Sequence, residues 1–77
     1  MSDENDVMST ADRLIYMANQ IARNLAAQGD AEAVASTASH IASFWDPLMR
    51  ARIVALAAEQ PDALSPSAAQ AGRRISA

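Results

Sequence analysis

The one histidine of this chain, His40, opens the stretch "HIASFWDPLMRARI" at residues 40–53, which also contains Asp46. Ser36, Ser39 and Ser43 line the same predicted helix. Serine, histidine and aspartate are the residue types of nucleophilic catalysis, in which an imidazole takes the hydroxyl proton and a carboxylate orients the ring. A triad also needs its nucleophile held against the base, and nothing in this spacing holds one. On an alanine-rich helix such serines read as spacers. Other chemistries fail earlier. A metal site needs more than one histidine and a few scattered acids, and there is no cysteine. A phosphate-binding loop needs clustered glycines, whereas Gly29 and Gly72 stand far apart. A carrier-protein serine would sit in Asp-Ser-Leu at a helix start; "ALSPS" at 63–67 has no Asp before its serine and a proline after it. The inventory therefore predicts no catalytic, cofactor-binding or metal-binding residue.

Recognition is the chemistry that remains. Phe44 and Trp45 are two of only three aromatics and are adjacent, just before Asp46-Pro47. Neighbours on a helix point about 100° apart, so the two rings cannot share a face. Trp45 continues the stripe of Val34 and Ile41, while Phe44 continues the mixed face of Ala33, Thr37 and His40. Either both rings are core, or one closes the core and the other docks on a partner. Exposed aromatics beside Arg and Met are typical anchors. Asp46 can cap the next helix and pair with Arg50 at i, i+4. Arg52 points elsewhere. Asn19 and Gln20, uncharged amides between Met17 and Ile21, suit either water or a partly buried interface. The predicted contact set is Met17, Asn19, Gln20, His40, Phe44, Trp45, Asp46, Pro47, Met49, Arg50 and Arg52.

Helices must position these residues. Residues 1–8 are acidic and expected to be mobile. Ser9 or Thr10 offers an N-cap, with Asp12 three residues after Ser9 as a shortened capping box. Leu14, Ala18, Ile21 and Leu25 then lie on one face up to Gln28, and Gly29 can take positive φ as the helix stop. Asp30 can cap a second helix with the stripe Val34, Ala38, Ile41, Trp45. So short a loop makes the first two helices an antiparallel hairpin. Asp46 and Pro47 open a third helix, with Met49, Ile53, Leu56 and Gln60 on its face, that ends near Pro61. The tail 61–77 is rich in Ala, Ser and Pro. Ser65-Pro66 leaves room for a short fourth helix over about 66–72 with a weak apolar face. The prediction is an all-α fold: a small helical domain over 9–60, built of three helices, between mobile termini.

Composition says such a domain wants support. Of the 39 apolar residues 19 are alanine, which favours helix but buries little area. A chain of this size draws only about 3–5 kcal/mol from its own core without a staple. With neither disulfide nor zinc available, the staple expected is another protein chain. Net charge is −3 with no lysine; residues 13–77 carry six arginines against five acids. Without a basic cluster there is little to neutralise phosphates, so nucleic acid is not an expected partner. No apolar run approaches the roughly 20 residues that span a bilayer. The start "MSDENDVMST" is acidic where an export signal is basic and then apolar, so a cytoplasmic location is expected.

Two segments together, "RLIYMANQIARNLAAQ" at 13–28 and "AVASTASHIASFWDPLMRARI" at 33–53, resemble the delta subunit of NAD-dependent, molybdenum-containing formate dehydrogenase. The shared pattern is a Met-Ala-Asn-Gln-Ile helix, an Ala-rich linker and helix, then His-Ile, Phe-Trp-Asp-Pro and Met-Arg. Leu48 stands where that family usually places Arg, which removes a cation from a presumed contact. The family often has aromatics near the positions of Asn24 and Leu25, and their lack here thins the core. The resemblance implies a non-catalytic accessory subunit of a soluble cytoplasmic enzyme, bound to its large catalytic (alpha) subunit and supporting assembly, stability or cofactor loading. Flavin and iron–sulfur subunits would share that complex. The molybdenum bis-pterin cofactor, iron–sulfur clusters, FMN and NAD would be held there, none of them by this chain. The competing expectation is a stand-alone helical adaptor that pairs with its own copy.

Overall fold

A computed structural model describes residues 9–76. The acidic segment 1–8, expected to be mobile, lies outside the described residues, as does Ala77. The described residues form four α-helices and no strand: α1 (Thr10–Leu25), α2 (Asp30–Phe44), α3 (Pro47–Glu59) and α4 (Pro66–Ser76). The all-α expectation holds.

The helix boundaries follow from local chemistry. The Ser9 hydroxyl accepts the Asp12 N–H at 3.1 Å and starts α1. A 3₁₀ turn over Ala26–Gln28 finishes it. Gly29 sits at φ 99°, ψ 156°, a region open only to glycine. Its carbonyl accepts the Ala33 N–H at 2.8 Å, so Gly29 itself caps α2. Asp30, expected as that cap, is instead the first helical residue, and its charge lies beside the positive end of the helix dipole. At α3 the Asp46 carboxylate accepts the Met49 N–H at 2.8 Å, with Pro47 behind it. At α4 the Ser65 hydroxyl accepts the Ala68 N–H at 3.2 Å.

Residues 61–76, read from sequence as a tail with room for a short helix, are part of the packed unit. A 3₁₀ turn over Pro61–Ala63 leads into α4, and α4 makes the most extensive helix–helix contact of the fold, with α2. It buries Ala68, Ala69, Ala71 and Gly72. A Cβ added to Gly72 would lie 2.8 Å from the Ala57 Cβ, so α3 and α4 meet where one of them has no side chain. Leu14, Ala18 and Ala22 of α1, Ile41 and Trp45 at the end of α2, Ile53, Leu56 and Ala57 of α3, and Leu64 complete the core. α2 is buried on two adjoining faces: the expected Val34–Ala38–Ile41–Trp45 stripe, and also Ala33 and Thr37. The Thr37 hydroxyl is fully buried and makes no hydrogen bond.

Candidate partner interface

The corner between α2 and α3 carries most of the predicted contact residues, and the fold sorts them into two groups. Trp45 ends α2 in extended backbone, with its N–H on the Ile41 carbonyl, and its ring is in the core at 5% exposure. Phe44, one residue earlier, is 75% exposed. The roughly 100° step between them thus becomes an inside–outside division. His40, one turn before Phe44, stacks on its ring with centroids 4.8 Å apart and planes tilted by 44°. Both rings border a shallow open groove floored by small residues, Ala35, Ser36, Ser39 and Ser43, with Leu25 at its far side.

Several predicted contact residues serve the chain itself. Asp46 caps α3 and does not pair with Arg50. Arg50 turns back, and its Nη1 donates to the Trp45 carbonyl at 2.6 Å and toward the Ala42 carbonyl at 3.4 Å. These are carbonyls left without helical partners at the end of α2, where a cation is also favoured by the dipole. Asn19 acts over a longer range. Its Nδ2 donates to the Ala63 carbonyl at 3.1 Å, and its Oδ1 accepts the Ser65 N–H at 2.8 Å. One side chain of α1 thereby holds the whole link into α4. Met17 and Met49 pack half-buried against the core, and Gln20 is half-buried. Pro47 is exposed at the first turn of α3, and Arg52 is exposed further along it.

Two exposed apolar residues fall outside the predicted set: Leu48 at 83% and Tyr16 at 52%. The signal for Leu48 was its place beside the Met49–Ile53–Leu56 stripe rather than in it. Tyr16 likewise neighbours buried Leu14 without sharing its face. Leu48 forms the outer edge of a second groove, between α1 and α3, lined also by Leu14, Met49, Ala51, Arg52 and Ala55. The first groove has a floor of small, mostly hydroxyl-bearing residues and the second an apolar one, and each holds one ionisable side chain, His40 in the first and Arg52 in the second. Neither combines an acid, a base and a nucleophile. Among the described residues no three of His, Asp and Glu come close enough to hold a metal ion. No described helix is long and apolar enough to cross a membrane.

A family model described as NADH-dependent formate dehydrogenase delta subunit FdsD matches residues 13–71. No curated protein and no solved structure matches the chain. The matched span runs from α1 through the Asn19 clamp and the α2–α3 corner into α4, most of the chain, and by that measure the chain belongs to the NADH-dependent formate dehydrogenase delta subunit family.

Proposed function

We propose that this chain is a non-catalytic accessory subunit that binds the large molybdenum-containing subunit of a formate dehydrogenase and supports its assembly, stability or cofactor loading. The observation that carries the reading is the family match across nearly the whole helical unit. Two features support it. The side chains offer no assembled acid–base or metal chemistry among the described residues. The His40–Phe44 stack stands outside the core, where an aromatic contributes nothing to folding and is available to a partner. In this reading the flavin and iron–sulfur subunits belong to the same cytoplasmic complex. Its molybdenum bis-pterin, iron–sulfur clusters, FMN and NAD sit on those other chains.

The test is co-expression of this chain with the formate dehydrogenase subunits from its own source, followed by purification through a tag on the large subunit. The chain is expected in stoichiometric amount. A large subunit made without it is expected to show lower molybdenum content or lower thermal stability. Recovery of the chain alone, as a monomer or as a dimer of itself, would overturn the reading.

A further inference from the structure

α3 is apolar nearly all the way round. Its inward side buries Ile53, Leu56 and Ala57. Its outward side carries Leu48, Ala51 and Ala55, spaced as i, i+3, i+7, with Arg52 among them. A helix that is apolar on every side belongs where it is covered on every side. Here α1 and α4 cover the inner side, and the outer one is left as a groove of about 440 Å³ between α1 and α3. Leu14 and Met49 give this groove an apolar floor, and Leu48 stands at its lip, 83% exposed. Arg52 is its one charged wall. Unlike Arg50, whose guanidinium is occupied by the carbonyls at the end of α2, Arg52 is exposed and forms no ion pair among the described residues.

We infer that this groove is the seat of a helix from another subunit of the complex. That helix presents apolar side chains to Leu48, Leu14 and Ala55, and an Asp or Glu to Arg52. The inference rests on the subunit reading above and adds to it which side is covered and by what chemistry. A helix fits because the receiving stripe is itself helical, and the small side chains of Ala51 and Ala55 let a second backbone come close. A carboxylate fits because the one cation in the groove has no counter-charge among the described residues, and a guanidinium beside an apolar floor pairs best with a planar acid.

The experiment uses the co-expressed complex and full-length chains. Leu48→Asp and Arg52→Glu are each expected to reduce recovery of this chain with the large subunit by about tenfold or more, the effect of losing an interface anchor. Arg52→Lys retains most of the recovery. The melting temperatures of the isolated variants stay at the wild-type value, because both side chains lie outside the core. Benzoylphenylalanine placed at position 48 in the intact complex is expected to crosslink to a helical peptide of another subunit with an acidic residue within one turn. Crosslinks to a second copy of this chain or to its own residues 1–8 would overturn the inference, as would wild-type recovery of both charge-introducing variants. In those cases normal co-purification of the wild-type chain leaves the subunit reading standing. Failure of the wild-type chain itself to co-purify overturns that reading, and the occupant of the groove with it.

Discussion

At the scale of single residues, the chain separates polar groups that hold the fold from one that strains it. The Asn19 amide makes both of its bonds to backbone, with partners at positions 63 and 65. The Met-Ala-Asn-Gln word in the sequence is thus an internal fastening as much as a surface. That role was hidden in the sequence because a hydrogen bond between such distant positions leaves no local periodicity. The caps at Ser9, Asp46 and Ser65 were legible, because a cap is a contact over three residues. Thr37 is the opposite case: its hydroxyl is buried without a hydrogen bond. A buried, unpaired hydroxyl costs about 1–3 kcal/mol. Valine has nearly the same shape and a similar helix propensity. Thr37→Val is therefore expected to stabilise the chain by about 1 kcal/mol, which raises the melting temperature by about 4–8 °C in a domain of this size. A lower melting temperature in a calorimetric scan would mean that the hydroxyl is paired after all.

At the scale of elements, α4 shows what a sequence pattern conceals. Its buried face is Ala68, Ala69, Ala71 and Gly72, none of which registers as a strong apolar stripe. Large side chains announce a core by their area, whereas small ones contribute by letting backbones approach. For the same reason Ala33 looked like part of a mixed face and proved buried. α1, the Trp45 stripe of α2 and the inner face of α3 contain the larger side chains, and those were legible. Gly72 puts this to the test. On an exposed helix Gly→Ala stabilises by up to about 1 kcal/mol. At Gly72 the new methyl would sit 2.8 Å from the Ala57 Cβ, and neither carbon can rotate away. Overpacking of this kind costs about 1–3 kcal/mol, so Gly72→Ala is expected to destabilise by roughly 1–2 kcal/mol in urea unfolding. A gain in stability would show that α3 and α4 do not meet there.

At the scale of the whole molecule, the core is thin and the surface keeps apolar groups in reserve. The adjacent aromatics divide those two tasks, and their variants are expected to fail differently. Trp45→Ala removes a ring that is 5% exposed. Losses of about 3–5 kcal/mol are typical for such a change and equal what a core of this size supplies, so the isolated chain is expected to lose its cooperative melt. Phe44→Ser removes a ring that is 75% exposed. It is expected to shift stability by no more than about 0.5 kcal/mol while weakening association with the large subunit. The comparison needs only circular dichroism on the isolated chains and co-purification of each variant. If Phe44→Ser associates normally, the small-residue groove on α2 is not a contact, and the burden falls on the α1–α3 side.

The position of the one tryptophan gives the molecule an optical property. Trp45 is enclosed, whereas Tyr16 lies at the surface and Phe44 absorbs little near 295 nm. Light at that wavelength excites a single indole in an apolar setting, which emits toward the blue and shifts toward the red when water reaches it. Fluorescence of the unlabelled chain therefore reports whether the core is closed and is nearly blind to what settles on the outer helix faces. With 5-hydroxytryptophan at position 45, which can be excited apart from the partner's own tryptophans, a titration with the large subunit that leaves the emission maximum in place while anisotropy rises is the expected signature of docking without refolding. A blue shift on mixing would instead mean that the free chain holds its indole partly wet and completes its core on the partner.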